Sequence, residues 1–231
     1  MDFIATGFFQ AFVLLFSGDP ETYSAILATI SVSTISILAS LIIGAPLGFL
    51  LGYHDFSGKK FLRTVADSLL SFPTVVIGLL VYALLSRKGP LGDTELLFTI
   101  PGIAVGQALL GIPIVTAMMA TAVENLDQRL KNTLLTLGAG RSQILRTTLW
   151  EARYSLVLAV AAAYGRIVSE IGISMMIGGN IKWHTRTITT AIALETGKGE
   201  FAMGIALGLV LMIIAFGVNF SMSGIKKRAG K

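Results

Sequence analysis

The sequence predicts an all-α, polytopic membrane protein, and three observations do so. Of the 231 residues, 54% are hydrophobic and 13% charged, about half the share of charge in an ordinary soluble domain. The apolar residues gather into runs of about 20 or more, long enough for a helix to cross the hydrocarbon core. No period-two alternation of the kind a membrane barrel needs runs through them, so the backbone's polar groups have to be satisfied within helices. Composition therefore excludes a water-soluble enzyme, a disordered tail and a collagen-like fibre. Cysteine is absent, which removes disulfides and thiolate ligands. His54 and His184 have no partner at ligand spacing, so no metal site is expected.

The elements follow in chain order. Residues 1–18 predict a short helix with Asp2, Thr6 and Gln10 as a thin polar stripe and Phe8, Phe9, Phe12 and Phe16 elsewhere on the wheel. That pattern suits a helix lying in the membrane interface; a short sixth span is the alternative. No basic region precedes the apolar run, so a cleaved signal peptide is not expected. Five core spans follow, at Ala25–Tyr53, Thr64–Ser86, Leu97–Ala122, Ala152–Gly178 and Phe201–Met222. Gly44, Gly48 and Gly52 form two overlapping GxxxG steps, repeated at Gly102/Gly106 and Gly204/Gly208, where backbones could approach closely. Pro46, Pro73 and Pro113 fall within spans and are expected to kink them.

Charge gives the orientation. Lys59, Lys60, Arg63, Arg129, Lys131, Arg141, Arg146, Arg153, Lys226, Lys227, Arg228 and Lys231 fall on one side. Arg87, Lys88, Lys182, Arg186 and Lys198 fall on the other, and Arg166 lies inside the fourth span. The positive-inside rule makes the richer side cytoplasmic, with the C-terminus inside and a multi-pass chain in the cell membrane. The net charge of +5 is thus topology and gives no reason to expect nucleic acid.

The longest polar stretch is the cytoplasmic segment 123–153. Leu126, Leu130, Leu134 and Leu137 keep helical spacing, Gly138–Gly140 interrupts it, and Ile144, Leu145 and Leu149 resume it. Such an amphipathic helix–glycine–helix either inserts its apolar anchors into a groove of a soluble partner or merely connects two spans. Leu137-Gly138-Ala139, with Ile144, Leu149 and Glu151-Ala152-Arg153 downstream, resembles the EAA loop of ABC-importer permeases. The match departs from the family at Asn132, where its glutamate stands, at Thr133 and Leu134 for its alanines, and at Trp150 for its late proline.

Further motifs resemble the tungstate permeases of the molybdate/sulfate/tungstate class. They are Phe72-Pro73 to Gly78, Gly89-Pro90-Leu91-Gly92, Gly165-Arg166 to Glu170-Ile171-Gly172, Gly178-Gly179-Asn180, and Thr185-Arg186 through Thr189-Thr190 to Glu195-Thr196. The likeness as a whole covers roughly Pro20 to Asn219, nearly the entire chain. The resemblance implies a type I ABC importer permease fold filling residues 1–231 as one transmembrane domain. It implies a homodimer, two ATPase subunits that bind ATP and Mg, and an extracytoplasmic oxyanion-binding protein. The coupling contact would rest on Asn132, Leu137, Gly138, Ala139, Ile144, Leu149 and Glu151. The expected function is uptake of an oxyanion, tungstate first, with molybdate or sulfate permease and a stand-alone secondary transporter as alternatives. No repeat between halves supports the last.

Two groups could face the anion. Arg166 and Glu170 stand four residues apart on one helix face, inside the membrane, where ionisable residues are costly. They are either a self-neutralising structural pair or a guanidinium held by a carboxylate to attract a dianion. The extracytoplasmic segment 179–199 gathers Asn180, Thr185, Arg186, Thr189 and Thr190, donors of the kind a fully ionised oxyanion requires. The resemblance places that stretch at the outer gate; otherwise it is a solvated loop. No GxxxxGK[ST] occurs, so ATP phosphates have no loop to cradle them here. No cofactor and no catalytic residue is expected in this chain.

Overall fold

The computed structural model describes the backbone of residues 2–126 and 128–229, and the side chains of residues 4–14, 16–126, 130, 133–218 and 220. Among the described residues all regular structure is helical: α1 Asp2–Phe16, α2 Pro20–Tyr53, α3 Lys59–Leu69, α4 Thr74–Leu85, α5 Ile100–Glu124, α6 Gln128–Thr136, α7 Arg141–Val168, α8 Gly172–Gly178, α9 Ile188–Gly197 and α10 Phe201–Ala229, with a single 3₁₀ turn at Gly92–Thr94. The all-α expectation holds.

The bundle is built on α2 and α5, which pack as parallel neighbours. Asp19 starts α2, its Oδ2 accepting from the Thr22 N–H (2.8 Å) just ahead of Pro20. Down the pair, Ser36 Oγ donates to the Ala104 carbonyl and Ser40 Oγ to that of Ala108, both at 3.2 Å and both 68 residues away. The constant offset means that the two chains descend together. Gly44, Gly48 and Gly52 allow the contact: a Cβ on Gly48 would stand 2.4 Å from the Thr116 carbonyl oxygen, and one on Gly52 2.7 Å from that of Ala120. The GxxxG steps of the first span are therefore the backbone contact they suggest. In the Gly204/Gly208 repeat, by contrast, a Cβ on Gly204 would meet Thr196 Oγ1 at 2.9 Å but one on Gly208 would meet nothing within 4 Å, so the two do not line one backbone contact.

Two spans differ from their sequence expectation. The second, expected as one helix over Thr64–Ser86, is two helices: α3 and α4 meet at 95° across a break at Leu70–Pro73. Pro73 lacks an N–H and holds an extended ψ of 120° as the N-cap of α4. α4 alone has 12 residues, about 18 Å at the α-helical rise. α3 lies across the C-terminal end of α5, where Arg63 donates to the Ala117 carbonyl (2.9 Å) and to Thr121 Oγ1, and Lys59 approaches Glu124 (3.5 Å). The fourth span begins earlier than Ala152, because α7 runs unbroken from Arg141, and it breaks at Ser169–Ile171 with a 59° bend into α8. Hydropathy is continuous across both breaks, which is why it does not report them. Pro46 and Pro113 lie inside uninterrupted helices.

One buried cluster, with Val32, Val81, Leu85, Ile103, Leu110, Ile173 and Ile177, joins α2, α4, α5 and α8. Another, with Ala25, Ile188, Ala191, Leu207 and Val210, joins α2, α9 and α10. The 15 residues of α1 would reach about 22 Å, short of a full hydrocarbon core. That helix docks on α10, with the Gly7 backbone so close that a Cβ would stand 2.8 Å from Ile205. Phe9 and Phe16 are 71% and 85% exposed. The polar stripe predicted along α1 includes Asp2, whose side chain lies outside the described residues. So do Asn132 and the basic side chains at 129, 131, 226–228 and 231.

Candidate functional site: a broken-helix node between two loops

The helix breaks bring Arg166 and Glu170 together, but in a different setting from the one expected. Arg166 occupies the last turn of α7, and Glu170 stands in the break beyond it rather than on the same continuous helix. Arg166 Nη1 lies 2.9 Å from Glu170 Oε2. Within this pair the carboxylate side chain is 4% exposed and the guanidinium 44%. Glu170 Oε1 also accepts from the Ile173 N–H at 3.3 Å. Both carboxylate oxygens are thus engaged, while the other guanidinium nitrogens have no partner among the described residues. The geometry leaves donor capacity on the open side of the pair and covers its negative charge.

A break in a membrane helix frees backbone groups, which lipid cannot satisfy. Here hydroxyls replace the lost ladder. The Glu170 carbonyl accepts from Ser174 Oγ (3.2 Å) and from Thr189 Oγ1 (3.1 Å). Gln107, buried on α5, donates through Nε2 to Ser174 Oγ (3.0 Å). The second break lies alongside: a Cβ on Gly172 would stand 3.5 Å from Val75 and 3.8 Å from Thr74 Oγ1. The ends of α4, α7 and α8, and the start of α9 through Thr189, therefore converge on one polar node inside an apolar bundle.

The outer segment 179–199 places its expected donors differently. Thr185 is fully buried, its Oγ1 donating to the Gly178 carbonyl and accepting from the Ile181 N–H. Thr187 and Thr190 cap α9 reciprocally, so Thr190 is also spent internally, and Thr189 is spent on Glu170. Arg186 Nε donates to Asn180 Oδ1 (3.2 Å), and its Nη1 pairs with Glu21 at 2.5 Å. Lys182 takes the other oxygen of Glu21 at 2.7 Å. The expectation that these side chains offer free donors is corrected: most of them hold the loop together and tie it to the start of α2. Lys198 pairs with Glu195 at 2.8 Å. Arg87 and Lys88, which sequence reasoning set aside, are the outer basic residues with no acidic partner among the described residues. They line a cavity of about 570 Å³ with Tyr82, Glu95 and Phe98. Phe98 ties this loop to the node's outer end, its N–H donating to the Ile177 carbonyl at 2.8 Å.

At the other end of α7 the turn is explicit. α6 ends in a Schellman motif: Gly138 takes φ +75°, its N–H reaches the Leu135 carbonyl (3.0 Å), and the Ala139 N–H reaches that of Leu134 (2.9 Å). Gly140 opens α7, its N–H donating to Gln143 Oε1 at 2.8 Å. Leu137 projects at the tip, 77% exposed, with Leu149 and Glu151 also exposed. Ile144 is buried instead, so it holds the module from within and is not an anchor offered outward. Arg153 stacks between the rings of Trp150 and Tyr154. α7, 28 residues long and about 42 Å, is thus one rod. It begins at the exposed Gly138–Gly140 turn and ends at the Arg166–Glu170 node.

Comparison with known proteins agrees with this architecture. The family described as "binding-protein-dependent transport system inner membrane component" matches residues 44–231. The chain is 48% identical over 227 residues to a tungstate uptake system permease protein of Campylobacter jejuni, covering 98% of this chain and 95% of that protein. It is 39% identical over 219 residues to one of Peptoclostridium acidaminophilum, covering 95% and 96%. Among solved structures, a chain of a bacterial ABC transporter for alginate superposes with a TM-score of 0.76 at 19% identity, covering 96% of this chain and 84% of that one. The chain has the fold of the type I ABC importer permeases and belongs to the family of binding-protein-dependent transport system inner membrane components: it is a membrane permease and not itself an enzyme.

Proposed function

We propose that this chain is the membrane subunit of an ATP-driven importer that moves tungstate into the cytoplasm by alternating access. The likeness to two tungstate uptake permeases along almost the whole chain is the observation that carries the substrate class. Two copies pair around one path, because the up to five spans among the described residues, with the half-exposed Arg166 set among them, enclose no polar channel by themselves. Arg166 faces that path and attracts the dianion; Glu170 holds the guanidinium in place with its own charge covered. An extracytoplasmic binding protein delivers the anion to the outer loops, where unpaired Arg87 and Lys88 supply the attractive field.

The cytoplasmic segment 123–153 is the coupling contact. The exposed Leu137 at the αL turn of Gly138 seats in a cleft of a partner ATPase, which binds ATP and Mg. Closure of two ATPases moves the two turns, and the α7 rods transmit that displacement to the nodes. The C-terminus lies on this same cytoplasmic side. Uptake of tungstate, molybdate and sulfate by cells lacking the chain, before and after complementation, tests the assignment. Restored high-affinity uptake of tungstate above the other two supports it. Restored uptake of sulfate or of an unrelated solute alone overturns the substrate.

A further inference from the structure

The node is held by a residue to which hydropathy gives no prominence. Gln107 is 2% exposed, seven positions into α5, and is surrounded by the bundle. Its Nε2 donates to Ser174 Oγ at 3.0 Å, and its Oε1 lies 3.4 Å from Ser36 Oγ. Ser174 donates in turn to the carbonyl of Glu170, the same carbonyl that Thr189 reaches from α9. Four helices, α2, α5, α8 and α9, are thereby joined through one hydrogen-bonded chain that ends on the backbone of Glu170. That backbone carries the carboxylate against which Arg166 rests.

We infer that Gln107 is a positioning residue for anion transport: through Ser174 it fixes the bend between α7 and α8, and so sets where the Arg166 guanidinium stands. This rests on the proposed role of Arg166 in the path. The physical argument is one of degrees of freedom. With the ladder interrupted at Ser169–Ile171, the backbone bonds from Glu170 to Ile167 and from Met175 to Ile171 stop on either side of the break, and among the described residues none joins α7 directly to α8 across the 59° bend. Packing restrains α8 sideways, with the Gly78 backbone against Met176 and Gly106 against Ile173 and Ile177. Phe98 and Thr185 bond the carbonyls of Ile177 and Gly178 at the far end of α8, but its near end is otherwise tied only to Glu170 and Ile171 of the break itself and free to turn by a fraction of a residue. A directional bond from α5 to Ser174 removes that freedom.

The role is separable from stability. Leu in place of Gln107 fills similar volume, and Ser174 keeps its own donation to Glu170. A misplaced guanidinium weakens anion capture in every assembled transporter, whereas loss of packing lowers only the number of assembled transporters. The test uses the complete reconstituted importer, with ATPases and binding protein, and measures tungstate uptake over a range of tungstate concentrations for wild type, Gln107→Leu, Ser174→Ala and the double variant.

The inference expects each single variant to raise the uptake KM by roughly 3- to 18-fold, the span of an intramembrane interhelical hydrogen bond. The turnover per assembled complex changes much less. The double variant matches Ser174→Ala, because Gln107 acts on the bend only through the Ser174 hydroxyl that this substitution removes. Gln107→Glu, which as the neutral acid can still donate to Ser174, restores much of the wild-type KM. Unchanged KM with reduced assembly, or singles that add in the double, overturns the inference. If Gln107→Leu does not assemble, Ser174→Ala alone decides by the same criterion. Wild-type importer that takes up no tungstate is a different result and refutes the proposed function instead.

Discussion

Substituting Gly48 by Ala tests the α2–α5 contact on which the bundle stands, and the structure sets its size. A Cβ there falls 2.4 Å from the Thr116 carbonyl oxygen, 2.8 Å from Met119 Cβ and 3.0 Å from Thr116 Cα. Two of these three atoms are backbone, so no rotamer change relieves the clash and the helices have to part locally. Overpacking of this kind costs about 1–3 kcal/mol. Ala also gains about 1 kcal/mol over Gly in a helix interior, which would mask part of the loss. Gly208→Ala supplies the control, since its Cβ enters open space and collects the same helical gain. The difference between the two variants is therefore the steric term alone. For a chain of this length, about 2–4 °C per kcal/mol makes it a gap of roughly 2–12 °C in the midpoint of thermal unfolding, measured in the same lipid–detergent mixture. Equal midpoints for Gly48→Ala and Gly208→Ala would refute the assigned packing of α2 on α5.

Three further outcomes are expected. Arg166→Gln alone leaves the buried Glu170 carboxylate unpaired, at a cost of about 3–5 kcal/mol, and reduces assembly. Arg166→Gln with Glu170→Gln restores assembly but not uptake if the guanidinium serves the path, whereas restored uptake marks the pair as structural. Gly138→Ala forces an L residue into a left-handed turn at about 1–2 kcal/mol, and Gly138→Pro cannot adopt φ +75° at all. Co-purification of the ATPase should fall in that order, and unimpaired recruitment by Gly138→Pro would remove the turn from the coupling contact. Arg87→Gln with Lys88→Gln should raise the concentration of binding protein needed for half-maximal uptake and flatten its salt dependence. Lys182→Gln, which removes an already neutralised charge, should do so less; equal effects would place the attractive field elsewhere.

How far the molecule was legible in its sequence depends on the range of the interaction. Gly44, Gly48 and Gly52 announced a close helix contact because GxxxG is a local pattern, and the structure puts Thr116 and Ala120 against it. Spacing alone could not distinguish them from Gly204/Gly208, where only Gly204 meets a neighbour, the Thr196 side chain. The breaks at Leu70–Pro73 and Ser169–Ile171 escaped because hydropathy averages over about 20 residues and the segments flanking both breaks are apolar enough to mask them. Pro73 was the local clue to the first. The pairing of Arg186 and Lys182 with Glu21 joins residues more than 160 apart, so their donors looked free when read along the chain. Ile144 looked like an anchor because helical spacing shows that a face is apolar but not which neighbour covers it. Gln107 is neutral and single in a long apolar run, and only its neighbours Ser36 and Ser174 reveal its use.

The rod-like continuity of α7 connects these observations to transport. The Gly138–Gly140 turn leads directly into α7 and Arg166 stands in its last turn, so the segment between them is one uninterrupted helix. At the break, hydroxyls of Ser174 and Thr189 rather than a helical ladder satisfy the Glu170 carbonyl. The most direct measurement is tungstate accumulation in vesicles holding this chain, its ATPase and its binding protein. The account predicts accumulation that requires ATP and all three components, and that is lost in Gly138→Pro. Accumulation that persists without ATPase or ATP, or none at all with every component present, would contradict it.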